Sequence, residues 1–341
     1  MSVRVRWLIV AAASLIALGL TGLVGLNAWR AYAERQDAAS AVATIEDDGA
    51  AIAPGRIVFR NTAAGAGYGH VSSVDDESPD GRRSVTDVVC DRVDATVRLL
   101  SCLRTVRGIA PTFTATLYDA DRVQVAEWPL PGVPSRTRLS TDGSLVATTS
   151  FVTGHSYAAI GFSTETVIRR EDGSDLGSLE SWTLRIDGEP SAPQDRNFWG
   201  VTFADDDDTF YATVGISSTG TTYLVRGSIS ARTLDTLAEN IECPSLSPDG
   251  RRIAFKRVTS GTGQSVHWTP AVYDIATGSV AVLPEDRSID DQIEWLDDRT
   301  VLYGVPREES VGDSDVWSLA VDGSSAPAVF IPHAWSPSVI R

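Results

Sequence analysis

A short unit that recurs along the chain constrains the fold more than any other feature. It consists of an apolar residue, an acidic turn, and a strand of alternating large and small side chains. It reads "LSTDGSLVATTSFV" at 139–152, "FADDDDTFYATVGI" at 203–216, "LSPDGRRIAFKRV" at 246–258 and "WLDDRTVLYGVP" at 295–306. A second half recurs too, as a strand ending near Asp, a turn and another strand. It reads "FTATLYDADRVQVAEWPL" at 113–130, "TYLVRGSISARTLDTL" at 222–237, "WTPAVYDIATGSVAVL" at 268–283 and "SDVWSLAVDGSSAPAVF" at 314–330. Four strands per repeat, at a spacing of roughly 40 to 66 residues, is the signature of a propeller blade.

One blade exposes two apolar faces and an open edge, so it survives only between neighbours in a closed ring. Blades begin near residues 87, 136, 197, 241 and 290. The last segment, "HAWSPSVI" (333–340), reads as the opening strand of a sixth blade. Its missing partners lie at the other end of the chain, in "RIVFRN" (56–61), "GHVSSVDDE" (69–77) and "RRSVTDVV" (82–89). The expectation is an all-β, six-bladed β-propeller over 54–341, sealed by pairing tail with head.

The N-terminus follows another pattern. Arg4 and Arg6 precede an uncharged run from Trp7 to Ala28, which as a helix spans roughly 33 Å, enough to cross a bilayer core. Residues 1–28 therefore read as a single transmembrane anchor or a signal sequence, and 29–53 as a juxtamembrane linker. The flanking arginines predict a cytoplasmic N-terminus and an extracytoplasmic propeller on a single-pass membrane protein. Cleavage after Ala31-Tyr32-Ala33 is the alternative and would give a secreted module. Outside the cytoplasm Cys90 and Cys102 are expected to pair as a disulfide, with Cys243 a buried free thiol.

The formal charge of −16, with Lys256 as the sole lysine, excludes a nucleic-acid surface, which needs clustered cations. Residues Ser247, Pro248, Asp249 and Gly250, with Asp142, Gly143 and Asp298, are assigned to turn chemistry, since Asp accepts from turn amides and Gly tolerates positive φ. "DDDD" at 205–208 could hold calcium but replaces a turn in register, so it reads as a charged turn. "GAGYG" at 65–69 is followed by no lysine or helix and reads as a hairpin loop. No nucleophile motif is present, and neither metal nor cofactor is expected. The candidate binding residues are Trp199 and Trp268, as rim indoles, with His155 and His267, which inner strands could bring to the axial channel.

"LSPDGRRIAFKR" resembles the repeat of TolB-like propellers, where S-P-D-G-x-x-[IL]-A-[FY] opens each blade. "AWSPS" at 334–338 echoes its first half and "LSTDGSLVAT" at 139–148 is a weaker copy. In that family an α/β domain precedes a six-bladed periplasmic propeller that serves as a protein-binding hub. Residues 29–53 are too few for such a domain. The resemblance implies an extracytoplasmic propeller that binds another molecule; with no catalytic signature in the repeats, the expectation is a monomeric, non-catalytic scaffold for an envelope protein or peptide. The rival expectation is a lyase or glycoside hydrolase using channel carboxylates.

Overall fold

The computed structural model describes residues 3–37, 42–46, 52–108, 110–152, 163–308 and 310–341. One α-helix, Val3–Asp37, comes first. It holds Ala and Leu throughout and no proline, which favours unbroken helix. Its Arg4–Ala31 stretch is long and apolar enough to cross a membrane. After it, the regular elements of the described chain are strands joined by turns, apart from two single 3-10 turns.

Six sheets follow one another around a ring. Blade 2 is formed by Arg92–Ala95, Leu99–Val106, Thr112–Asp119 and Gln124–Pro129. Blade 3 is formed by Val133–Leu139, Leu145–Val152, Ser163–Arg170 and Asp175–Ser178. Blade 4 takes Arg196–Phe203, Thr209–Ile216, Thr221–Ser228 and Thr233–Glu239. Blade 5 takes Glu242–Leu246, Arg252–Ser260, His267–Asp274 and Val280–Val282. Blade 6 takes Glu294–Trp295, Thr300–Pro306, Ser314–Ala320 and Ala328–Ile331.

Blade 1 closes the ring as the sequence predicts. The C-terminal strand Ala334–Ile340 pairs antiparallel with Arg56–Asn61, with Ile57 opposite Val339 and Arg56 opposite Ile340. His70–Asp75 and Arg83–Val89 complete the sheet. Two blades carry extra strands at their outer edges. Thr44–Glu46, within the segment read as linker, adds parallel to blade 1. Thr183–Ile186 adds parallel to blade 4, with Glu189–Ser191 outside it. The polar stretch at 171–180 supplies the turn and outer strand of blade 3.

The core is not one mass but six wedges, one at each junction between blades. Leu145 and Ile168 of blade 3 meet Phe198 and Phe210 of blade 4. Ile57 and Phe59 of blade 1 meet Leu302 and Val316 of blade 6. Leu99 and Leu117 of blade 2 meet Leu139 and Val146 of blade 3. Each fully buried Leu or Phe stabilises by about 1.5–3 kcal/mol, so every blade depends on both neighbours.

Antiparallel order fixes which connections share an end of the ring. Turns from first to second strand, and from third to fourth, lie on one face, here called the turn face. Loops from second to third strand lie on the opposite face, the loop face.

Candidate functional site

The axial mouth on the turn face is built by all six blades. A cavity of about 230 Å³ is lined by Asp94 from blade 2, Arg138 and Thr141 from blade 3, and Thr202 and Asp205 from blade 4. Ser245 of blade 5, Glu294 of blade 6, and Ser338 with Arg341 next to blade 1 complete it. Inner strands bring these side chains together because alternate residues face the axis.

Bulges re-aim the inner strands. Pairing slips at Cys243, where φ is +51°, and at Ser336, where φ is +56°. Blade 4 slips at Gly200, with φ of +66°. A Cβ on Gly200 would stand 2.5 Å from the Cα of Cys243, so only glycine lets these two inner strands approach.

At the mouth two carboxylates share one guanidinium. Arg138 Nη1 donates to Asp94 Oδ1 at 3.3 Å and to Glu294 Oε2 at 2.5 Å, which holds those oxygens within about 6 Å of each other, near the separation of glycosidase carboxyls. Their remaining capacity is used locally. Ser338 Oγ donates to Asp94 Oδ1 and the Leu139 amide to Asp94 Oδ2. Arg341 donates to Glu294 Oε1 at 3.3 Å. Burial, with Glu294 nearby, pushes Asp94 above the usual carboxylate range, although Arg138 opposes the shift. Burial works against charge on Arg138, yet the two carboxylates more than offset it.

A second layer lies nearer the loop face. Lys256 Nζ donates to Asp290 Oδ1 at 2.7 Å, and its ammonium stands 4.7 Å from the centre of the Trp268 ring. Arg136 donates to the Asp290 carbonyl, and Arg92 to Asp291 at 3.0 Å. Asp291 is fully buried and also accepts the amides of Gly304 and Ser336. Burial resists ionisation of Asp290, but Lys256, Arg136 and Arg92 hold it below the usual range. Burial, reinforced by repulsion from Arg136, lowers Arg92 to about 10.

Around the mouth the turns form an acidic collar. The run Asp205 to Asp208, with Asp249, Asp297 and Asp298, lies in the turns of blades 4, 5 and 6, where Arg251, Arg252 and Arg299 are interspersed. These acids are laced to the turns rather than arranged for a metal, and no metal-holding group of His, Cys, Asp and Glu exists among the described residues. Asp206 accepts the amides of Asp208 and Thr209, Asp208 accepts Ser230 N, and Asp205 accepts Thr141 Oγ1 from blade 3. In the opening motif Ser247 Oγ donates to Asp249, Asp249 accepts the Arg251 amide, and Gly250 has a φ of +69°. Asp142 accepts the Ser144 amide beside Gly143 in the same way. Asp298 differs: its own turn is capped by Asp297, while Asp298 reaches across to accept the Asp249 amide of blade 5.

Of the residues expected to bind, the three that are described, Trp199, Trp268 and His267, do not line this mouth. Trp199 is buried inside blade 4 against Gly215, so it offers no exposed rim indole. Trp268 is half-buried beneath Lys256, and His267 precedes it at the loop-face end of blade 5. His155 lies outside the described residues. The charged inner-strand residues Asp94, Arg138 and Glu294 escaped sequence reading, since single charges alternating with apolar residues look like a solvated strand face. A partial signal was present: three of the four X-Pro-Ser triplets, Val133-Pro134-Ser135, Cys243-Pro244-Ser245 and Ser336-Pro337-Ser338, lie on inner strands, while Glu189-Pro190-Ser191 lies at an outer edge.

Cys90 and Cys102 form a disulfide with a Cα separation of 5.4 Å. It clips the exit of blade 1 to the second strand of blade 2. Cys243 is a buried free thiol.

No protein-family model and no curated protein matches the chain. Solved structures do. TolB from Acinetobacter baumannii aligns with a TM-score of 0.56 at 17% identity, covering 84% of this chain and 67% of that one. A protein of unknown function from Bacteroides caccae gives 0.48 at 11% identity, over 85% and 100%. An oligogalacturonate lyase in complex with manganese gives 0.48 at 11% identity, over 76% and 72%. At 17% identity the likeness to TolB is one of fold alone: a TolB-like six-bladed propeller.

Proposed function

We propose that this chain is a membrane-tethered, extracytoplasmic scaffold that grips a protein or peptide segment of the cell envelope on its turn face, without catalysis. The observation that carries the reading is the axial mouth, a cavity to which all six blades contribute and in which each carboxylate already has its partners. A general acid or nucleophile needs a carboxyl oxygen free to meet substrate. Asp94 and Glu294 instead present a fixed pattern of charge, which suits recognition. The helix Arg4–Ala31 supports the tether. The envelope location draws on the repeat resemblance and is an analogy of fold.

A catalytic reading has one observation in its favour, the close approach of Asp94 and Glu294. One experiment separates the two. Photo-crosslinkers placed at Thr141 and Asp205, on the mouth, should capture an envelope protein in intact cells, whereas one at Val280, on the outer edge of blade 5, should not. Failure of capture at the mouth, together with oligosaccharide turnover by the purified protein that Asp94→Asn abolishes, would overturn the scaffold reading in favour of an enzyme.

A further inference from the structure

One cation in the axial mouth is held differently from the others. Arg138 is wedged between Asp94 and Glu294 with 11% of its side chain accessible. Arg341 meets the same Glu294 from the solvent side, with 39% of its side chain accessible against 5% for Glu294, and it also donates to the Trp295 carbonyl. One oxygen of a buried carboxylate is thus engaged by a guanidinium more than a third accessible to solvent, so that only another cation could take its place without leaving that oxygen unpaired.

Two further features bear on what could replace it. The adjoining cavity of about 230 Å³ has room for the head of a long cationic side chain, given that a water takes about 30 Å³. Once Arg341 is displaced, the charged lining is Asp94, Asp205 and Glu294 against Arg138 alone, a net negative charge that favours an incoming cation. Glu294 Oε1 and the Trp295 carbonyl form a pair of acceptors that a planar guanidinium already engages, so arginine should fit better than lysine.

We propose that the axial mouth is a subsite for the cationic side chain of a basic protein segment, arginine before lysine, and that Arg341 is an intramolecular competitor that the incoming group displaces from Glu294. The proposal rests on the turn-face reading above and deepens it by naming the chemistry of the partner.

The test uses the full chain in lipid nanodiscs and a dye-labelled arginine-rich peptide, with versions in which lysine or glutamate replaces every arginine, followed by fluorescence anisotropy. Arg341→Ala should tighten the arginine peptide about tenfold over the natural chain. Adding Glu294→Gln should cancel that gain, the lysine peptide should bind more weakly, and added salt should weaken both. Because Glu294→Gln also strips a partner from Arg138, Asp205→Asn on the exposed rim serves as a second variant. It should weaken binding by about two- to threefold at an unchanged melting temperature. The proposal falls if Arg341→Ala binds the arginine peptide no more tightly than the natural chain, or binds the glutamate peptide equally well. A partner captured at Thr141 or Asp205 whose binding ignores Arg341→Ala would leave the scaffold reading intact and remove this inference alone.

Discussion

Blades 1 and 5 share a four-strand plan but are held together in opposite ways. Blade 5 is one continuous run from Glu242 to Val282, folded by tight turns of which Ser247 to Gly250 is the clearest. Blade 1 is stitched from both ends of the propeller sequence, and Arg83 donates to the His333 carbonyl across 250 residues of chain. Closing a long loop costs more chain entropy than closing a short one. The long closure carries fasteners that the short one lacks. Arg83 also donates to Asn61 and to the Pro332 carbonyl and lies over the Phe59 ring, Thr44–Glu46 adds a fifth strand, and the disulfide ties the blade to its neighbour. Local turns suffice where the strands are already neighbours in sequence. Buried polar ties accumulate where they are not.

The strongest way to break that comparison is to remove one strand from each blade. Ending the chain before Ala334 should abolish cooperative unfolding, because it opens the ring and bares the apolar faces of Ile57 and Phe59. The loss should equal the whole stability of the domain, about 5–15 kcal/mol. Removing Val280–Val282, an exposed outer strand, should leave a cooperative transition in calorimetry. If the two deletions behaved alike, ring closure would not be the source of stability.

Arg83→Met sharpens the same contrast. It removes the donor that Arg83 supplies to the Asn61 amide oxygen and the Pro332 carbonyl, while the His333 carbonyl keeps the Thr62 amide, and should cost about 2–4 kcal/mol in denaturant unfolding. Burial lowers the Arg83 pKa to about 10, against the pull of Asp313 and Asp315. Lowering means that the folded state favours the neutral form relative to the unfolded chain, so the penalty of charging Arg83 is complete below pH 10 and relaxes only above it. The natural protein should therefore show no stability change from this group between pH 6 and about 9. The double substitution Cys90→Ser with Cys102→Ser comes next. With a sequence separation of 12, it should cost about 3 kcal/mol, read as a lower midpoint with the transition still cooperative.

Much of this architecture is legible because turn chemistry is local. The Ser-Pro-Asp-Gly turn, the strand alternation and even the permuted closure follow from short windows of sequence. The axial site is not legible in that way. Asp94, Arg138 and Glu294 come from three blades, and nothing within any one window says that they meet. Trp335 shows the same limit. Trp295 precedes the acidic turn, as its unit predicts, and ends an inner strand, where it donates to the Ser245 carbonyl of blade 5, whereas Trp335 begins an inner strand beneath Arg92. Likewise Ser336-Pro337 echoes the turn motif in composition but occupies an inner-strand bulge, equivalent to Cys243-Pro244.

The smallest expected effect lies in the turn of blade 5. Gly250 holds a φ of +69°, and a Cβ placed on it would meet no atom within 4 Å. Gly250→Ala therefore carries only the backbone cost of a left-handed residue, about 1 kcal/mol, or about 2–4 °C in melting temperature for a domain of this size. Gly250→Asn should recover part of that loss, because Asn tolerates this region better than Ala. Gly200 provides the contrast: its φ is similar, at +66°, but its Cβ would press on the backbone of Cys243. Gly200→Ala should then cost clearly more than Gly250→Ala, and Asn should rescue nothing there. Equal losses at the two glycines would mean that the inner strands can separate without penalty, and the axial mouth would lose the rigid frame on which its recognition depends.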